Sequence, residues 1–174
     1  QGVGHVGEYL VEYLSKEGAK IYISDIHQDT LSRITKEYGA TQVDLNHVYD
    51  LDMDIYAPCA LGGTLNSETI DRLKCQIVAG AANNQLKDED LHGKALLERG
   101  ILYAPDFAVN AGGVINCFSE VEGLSSEWAL QKAQDIYHTI YDIVERSQNE
   151  NKPTHLIAMN MAEEKINAAH KPLF

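Results

Sequence analysis

The feature that most constrains this chain is the glycine loop at its start, Gly2-x-Gly4-x-x-Gly7, which leads into a segment with helical periodicity. Apolar residues recur at helical spacing from His5 to Glu17, which predicts an amphipathic helix. Glycines at these positions allow a tight turn and close packing of a helix against a strand. Such a loop normally follows a β-strand. We therefore expect the chain to be a piece of a longer protein, with the first strand of its sheet missing.

Short apolar strands alternate with helices along most of the chain. The pattern predicts strands over residues 19–25, 54–58, 76–80 and 101–104, and helices over 28–38, 66–73 and 88–98. Strands that alternate with helices form a parallel sheet covered on both faces. We therefore predict an α/β fold with a Rossmann-type, doubly wound parallel sheet.

The alternation stops near residue 109, and the rest of the chain is predicted to be mostly helical. Apolar residues on one face predict long helices over 126–147 and 153–169. We expect the Rossmann-type core to span residues 1–122. A helical C-terminal tail over 123–174 is expected to pack on that core or toward another domain.

Composition excludes several classes of function. The 174 residues carry a net charge of −12, whereas proteins that bind nucleic acid neutralise phosphates with Lys and Arg, so no nucleic-acid partner is expected. The sequence contains no apolar run long enough for a membrane helix and no secretory signal at its start. Three cysteines without paired spacing indicate a reducing cytoplasm, and the seven histidines show no metal-ligand pattern. No metal site and no membrane partner are predicted.

The glycine loop and a later aspartate together point to a dinucleotide. A helix N-terminus behind the loop can hold a pyrophosphate through backbone N–H groups, so an acidic chain can still bind one. Asp25 lies 18 residues after Gly7, near the spacing of a carboxylate that accepts hydrogen bonds from the adenosine ribose. A carboxylate there would repel a 2′-phosphate, and no Arg or Lys follows it until Arg33, which favours NAD over NADP. A structural turn and an ordinary exposed aspartate are the alternatives.

Two further polar segments follow predicted strands. Ala79 to Gln85 places two asparagines after a strand, where open parallel sheets bind ligands, although a turn with asparagine in left-handed geometry is the alternative. Asp106 to Asn116 includes a pair of glycines that permits close approach of a ligand or of another element. Asp106 is either a buried carboxylate or a helix N-cap, and the N-cap is the expectation.

Other chemistries lack their motifs. The chain has no G-x-S-x-G elbow, no phosphate-binding G-x-x-x-x-G-K-[ST] loop, and no tyrosine followed four residues later by lysine. Cys59 has no histidine near it in sequence, so a small apolar cysteine is favoured over a nucleophile.

In their order, these segments resemble the amino-acid dehydrogenase family that includes glutamate, leucine, phenylalanine and valine dehydrogenases. Within the family the likeness is greatest to the NAD-binding domain of the leucine dehydrogenases. The segments that carry it are 2–7, 24–26, 54–62, 79–86, 103–106 and 110–116. Ala-Pro-Cys-Ala, Ala-Ala-Asn-Asn-Gln and Asn-Ala-Gly-Gly-Val-Ile-Asn are the most specific of them.

The resemblance implies reversible, NAD-dependent oxidative deamination of a branched-chain, leucine-like L-amino acid to its 2-oxo acid and ammonia. Hydride would pass from the substrate α-carbon to the nicotinamide. In this family the catalytic Lys and Asp residues lie in an N-terminal domain across the cleft, so no catalytic residue is assigned to this chain. The implied partners are the substrate, that missing catalytic domain and further copies in a homo-oligomer. The alternative is a free-standing NAD-binding or sensor module without catalysis.

The resemblance also implies roles for individual residues. Those expected to bind the cofactor are Gly2, Val3, Gly4, His5, Val6 and Gly7 at the pyrophosphate, Asp25 and Ile26 at the adenosine ribose, Cys59 and Ala60 in the cleft, and Ala82 and Asn84 at the nicotinamide ribose. Those expected to contact substrate are Asn84, Asn110, Val114 and Cys117. Leucine dehydrogenases usually carry valine where this chain has Cys117, which leaves the choice among leucine, valine and isoleucine open.

Overall fold

The computed structural model describes residues 1–169. Short parallel strands alternate with helices, and helices alone follow. The strands are β1 Tyr22–Ile23, β2 Thr41–Gln42, β3 Ile55–Tyr56, β4 Ile77–Val78 and β5 Leu102–Tyr103. The helices are α1 His5–Lys16, α2 Gln28–Tyr38, α3 Ser67–Arg72, α4 Glu89–Glu98, α5 Asp106–Val109, α6 Gly112–Val121, α7 Ser126–Gln134, α8 Ile136–Glu150 and α9 Thr154–Ala169, with a 3₁₀ helix at His47–Asp50. The prediction of an α/β fold with parallel strands is confirmed.

The strands form two parallel groups, β1-β2 and β3-β4-β5. The start of the chain lies between the groups and bonds to both. The Gln1 nitrogen donates to the Ala57 carbonyl at 2.9 Å, Cys59 N–H donates to the Gln1 carbonyl at 2.7 Å, and Gly2 N–H donates to the Ser24 carbonyl at 2.7 Å. Residues 1–3 therefore set β1 and β3 on either side of the glycine loop.

Three hydrophobic clusters hold these layers together. One lies around β1 and the helices α1 and α2, and includes Ile23, Leu31 and Ile34. The largest packs α3 and α4 against β3-β4-β5. The third joins α8 to α9 through Ile143 and Ile157. The core is mostly aliphatic and closely packed, and Tyr49, Tyr56 and Tyr103 are the aromatic members of its largest cluster.

Local signals start and stop the helices. Asn66 accepts hydrogen bonds from the backbone of Glu68 and Thr69 in a capping box at α3, and the Asp88 carboxylate caps α4. Gly39, at φ +70°, ends α2 in left-handed geometry. The predicted boundaries of these helices follow from the same residues.

The structure differs from the predictions in the second half of the chain. The long helix predicted over 126–147 is two helices, α7 and α8, which divide at Asp135. Asp106 is the first residue of α5 rather than its N-cap, because Pro105 precedes the helix there. Residues 170–174 of the predicted 123–174 tail lie outside the described residues. Across residues 1–169, no helix combines the length and apolarity needed to cross a membrane.

Candidate functional site

The glycine loop turns directly into the N-terminus of α1. Gly2 has φ +87°, and a Cβ built on it would lie 2.6 Å from the Ala60 nitrogen. A Cβ on Gly7 would collide with the Gly2 carbonyl oxygen. By contrast, apart from its two neighbours in the chain, no described residue comes within 4 Å of a Cβ built on Gly4, the residue before α1. The loop is therefore tightly packed at its ends and open in its middle, where the α1 N–H groups emerge.

Asp25 is bound to this loop. One carboxylate oxygen accepts from Val3 N–H at 2.8 Å and the other from His27 N–H at 2.9 Å. Partial burial opposes the charged form of Asp25, but the backbone N–H groups outweigh it, so the pKa of Asp25 lies below its ordinary value. The carboxylate is thus an anion at neutral pH, and each oxygen keeps acceptor capacity. Ile26, next to it, is exposed.

The loop after β3 closes against the glycine loop. Ala60 packs on Gly2, and Cys59 lies beside Gly7. The Cys59 sulfur also accepts a weak hydrogen bond from Ala81 N–H at 3.4 Å. Cys59 therefore joins the ends of β3 and β4 as a packed, half-buried thiol.

The loop after β4 carries Ala82, which is buried, and Asn84, which has φ +51°. Gly63 N–H donates to the Asn84 carbonyl at 2.7 Å. A Cβ on Gly62 would fall within 2.8 Å of the Asn83 and Asn84 carbonyl oxygens, so the two loops interlock. Asn84 therefore has the left-handed geometry of the turn alternative, and the Gly62–Gly63 segment packs against it.

Asn110 reaches the same loop from the end of α5. Its side-chain amide donates to the Asn83 side-chain oxygen at 2.6 Å and to the Ala81 carbonyl at 3.3 Å. The structure thus brings Asn110 together with the segment that contains Ala82 and Asn84. In open parallel sheets, ligands bind at this carboxyl edge of the strands.

The two predicted residues on α6 are not equivalent. Val114 is 68% exposed and lines an apolar pocket of about 560 Å³ together with Phe118 and Trp128. Cys117 is exposed and is not part of the lining of that pocket. Phe118 and Trp128, whose rings lie 5.9 Å apart, were not predicted, because sequence spacing does not show that α7 folds back on α6.

Sequence reasoning also missed Gln85 and the bond that it makes. Gln85 N–H donates to the Asp106 carboxylate at 2.8 Å, and both side chains are buried. The position of Asp106 after a strand was a usable signal, and the buried-carboxylate alternative for this residue is the one that the structure shows. Nothing in the sequence connects it to Gln85.

The site is poor in formal charge. Among the residues predicted to bind the cofactor, Asp25 is the only Asp, Glu, Lys or Arg. An anionic ligand would therefore be held by backbone N–H groups and the α1 dipole. Within residues 1–169, no group of three or more His, Cys, Asp or Glu side chains could hold a metal ion.

Comparison with known proteins gives a consistent set of relatives. The Glutamate/Leucine/Phenylalanine/Valine dehydrogenase family model matches residues 22–172. A leucine dehydrogenase from Thermoactinomyces intermedius is 48% identical over 98% of this chain and 46% of its own length. A phenylalanine dehydrogenase from the same organism is 44% identical over 88% of this chain and 42% of its own length.

Solved structures agree. The crystal structure of L-tryptophan dehydrogenase from Nostoc punctiforme superimposes with a TM-score of 0.94 at 42% identity, over 97% of this chain and 51% of that one. A glutamate dehydrogenase from Thermus thermophilus, at 18% identity, shares the fold with a TM-score of 0.72 over 98% of this chain and 46% of that one. The chain spans about half the length of the curated relatives that it matches.

Proposed function

Because this chain belongs to the Glutamate/Leucine/Phenylalanine/Valine dehydrogenase family, we propose that it supplies the NAD-binding site of an amino-acid dehydrogenase. The reaction is the reversible oxidative deamination of an L-amino acid to its 2-oxo acid and ammonia. When bound, NAD accepts the hydride that leaves the substrate α-carbon. The residues of this chain bind and orient the cofactor and form one wall of the substrate site.

The observation that carries this proposal is the contact between the glycine loop and Asp25. Val3 N–H, inside the loop, donates to the Asp25 carboxylate. One hydrogen bond thus connects the glycine loop, the proposed pyrophosphate site, to Asp25, the proposed acceptor for the ribose hydroxyls. The open space at Gly4 leaves the α1 N-terminus accessible to phosphate oxygens. These two features fit the two ends of an adenosine diphosphate group.

The nicotinamide half of the cofactor is assigned to the carboxyl ends of β3, β4 and β5. Cys59 and Ala60 pack beside the glycine loop, and Ala82 and Asn84 lie on the loop that Cys59 contacts. A dinucleotide that lies along this edge passes from Asp25 to Asn84. Asn110, bonded to the same loop, then lies at the substrate end.

We propose a branched-chain amino acid, leucine-like in size, as the substrate. Val114 provides an exposed apolar contact on α6. The family resemblance assigns Cys117, which is close in volume to valine, to the substrate side chain, although Cys117 lies outside the pocket that Val114 lines. Relatives named leucine, phenylalanine and L-tryptophan dehydrogenase make aromatic substrates the competing class.

A direct test is an assay of NAD reduction by the protein expressed from its complete reading frame, with L-leucine, L-valine, L-phenylalanine and L-tryptophan. We expect the highest kcat/KM with a branched-chain substrate. A higher value with an aromatic substrate would overturn the substrate assignment alone. Binding of NAD with no turnover of any amino acid would favour the non-catalytic module.

We further propose that the two strand groups are halves of one Rossmann-type sheet, joined by an extended apolar strand in line with Gln1. A groove of about 480 Å³ separates β1 from β3, and Leu10, Leu14 and Ile21 line it. The backbone hydrogen bonds of Gln1 and Gly2 already follow a parallel ladder. Because β1 bonds to β2 through Ile21 and Ile23, the N–H of Tyr22 faces the groove, as does that of Ile55 on β3.

Amide hydrogen exchange tests this strand. In the complete protein we expect the N–H groups of Tyr22 and Ile55 to exchange as slowly as that of Ala79, which donates to Tyr56 within the described sheet. Rapid exchange at both positions, with Ala79 still protected, would contradict a strand in the groove.

Association of several copies is also proposed. Aromatic side chains are exposed on α1, at Tyr9 and Tyr13, and on α8, at Tyr137 and Tyr141. Exposed apolar patches on soluble proteins commonly mark contact surfaces. Light scattering of the purified protein would show the expected oligomer, and a monomer at all accessible concentrations would rule it out.

A further inference from the structure

The carboxyl ends of β4 and β5 are joined through one buried carboxylate. Asp106 is 9% exposed and follows β5. One of its oxygens accepts from Gln85 N–H at 2.8 Å, across to the loop after β4, and the other accepts from Phe107 N–H at 2.7 Å. Asp106 therefore fixes the β4 loop and the start of α5 at the same time.

Gln85 then holds the β4 loop from inside. Its side chain is fully buried, and its amide group donates to the Gly80 carbonyl at 2.7 Å and to the Ala82 carbonyl at 2.9 Å. Its main-chain carbonyl accepts from Leu65 N–H at 3.0 Å. The loop that carries Ala82 and Asn84 is thus tied at both ends and across its middle.

A carboxylate is costly at such a place. Burial of a charge is unfavourable unless hydrogen bonds compensate it, and a helix start such as α5 does not need a buried aspartate. A carboxylate differs from an amide in that both oxygens are acceptors only. The Gln85 N–H group, on the loop after β4, and the Phe107 N–H group, in α5, both point at this side chain and need two acceptors.

We infer that Asp106 and Gln85 are positioning residues, which hold the Gly80–Asn84 loop in the geometry that the nicotinamide end of the site requires. This inference rests on the proposed function. Neither residue is assigned a contact with cofactor or substrate. They act through Ala82 and Asn84, and through the Asn110 side chain, which donates hydrogen bonds to the same loop.

The test compares Asp106→Asn with the wild type and with Thr154→Val in the complete protein. Asp106→Asn keeps the shape of the side chain but turns one acceptor into a donor that faces an N–H group. Thr154→Val is the stability control. This substitution removes a buried hydrogen bond of 2.6 Å from the Thr154 hydroxyl to the Tyr103 carbonyl, and neither residue belongs to the Gly80–Asn84 loop. The measurements are kcat, the KM for NAD, the Tm and the affinity for AMP, which probes only the adenosine end.

We expect Asp106→Asn to lower kcat by about tenfold or more, since it loses a buried, charge-assisted hydrogen bond. Its affinity for AMP should stay within about twofold of the wild type, because the adenosine end does not depend on this loop. Thr154→Val should lower the Tm and leave kcat unchanged. A second variant, Gln85→Leu, should lower kcat in the same way.

Other results would overturn the inference. If Asp106→Asn keeps wild-type kcat, or loses AMP affinity in step with Tm, the residue is only structural. If Asp106→Asn does not fold, the kcat and AMP affinity of Gln85→Leu decide between a positioning role and a purely structural one by the same criteria. A wild type that neither binds NAD nor oxidises an amino acid would instead refute the proposed function, and the inference with it.

Discussion

The glycines of the first loop are needed for different reasons. Gly2 combines a positive φ with contact to Ala60, and Gly7 allows α1 to pass the Gly2 carbonyl. Gly4 has neither constraint from the described residues. The fold therefore accounts for Gly2 and Gly7, and the proposed phosphate site accounts for Gly4.

This division predicts opposite behaviour for two alanine variants. Gly7→Ala should lose about 1–3 kcal/mol of stability, because the new methyl group forces the backbone apart. Gly4→Ala should keep its Tm and bind NAD at least about tenfold more weakly, because the methyl group enters the phosphate cradle and costs hydrogen bonds. Thermal unfolding and NAD titration measure both effects. A destabilised Gly4→Ala with normal affinity would contradict the assignment.

Asp25 is predicted to contribute to NAD affinity. Replacement by alanine should weaken binding by about 1–3 kcal/mol, because ribose hydroxyls lose their acceptor. Asp29→Ala is the matched control, since Asp29 is an exposed carboxylate in the first turn of α2. Calorimetric titration with NAD compares the variants. Equal affinities for wild type and Asp25→Ala would exclude the role.

At the scale of elements, α9 is held on α4 by a buried histidine. His155 is 3% exposed, and neither of its ring nitrogens has a hydrogen-bond partner among residues 1–169. A Cβ on Gly93 would collide with the imidazole, so the glycine in the middle of α4 makes room for that ring. A helix-interior glycine costs about 1 kcal/mol relative to alanine, and here the packing of two helices explains it.

This contact predicts a pH dependence of stability. Burial lowers the pKa of His155 below 6.5, against the attraction of Glu89 and Asp90. The unfolded chain therefore takes up a proton at a higher pH than the folded chain. The stability due to neutral His155 is complete above about pH 6.5 and falls with pH below it, by at most about 1.4 kcal/mol per pH unit.

The measurement is denaturant unfolding of wild type and His155→Leu between about pH 7.5 and pH 5. Because the other titrating groups are common to both, the difference between their free energies of unfolding reports His155. We expect wild type to lose stability relative to the variant as the pH falls. A difference that does not change with pH would show that the ring titrates normally.

For the whole molecule, the relevant property is a net charge of −12 combined with a proposed anionic cofactor. Long-range repulsion is screened by salt, whereas short hydrogen bonds from backbone N–H groups are affected much less. In a site built from Lys and Arg, the affinity for NAD would fall as salt rises, since salt would screen the attraction between these side chains and the phosphates.

We therefore predict that NAD affinity is unchanged or slightly stronger when salt rises from about 0.05 M to about 0.5 M. Titrations at both concentrations test this, with Gly4→Ala as the control for non-specific binding. A steep loss of affinity with salt would indicate that basic side chains, not the α1 N-terminus, hold the phosphates.

The sequence by itself determined the alternation of strands and helices and the parallel arrangement of the strands. It also determined the positions of the glycine loop before α1 and of Asp25 after β1. These follow from periodicity and spacing, which are local properties of a chain. The tertiary structure alone decided that Asp106 bonds Gln85, that α7 and α8 divide at Asp135, and that Val114 shares a pocket with Trp128 while Cys117 does not. Each of these features depends on contacts between residues distant in sequence or on how helices pack. The spacing of residues along the chain does not predict such contacts.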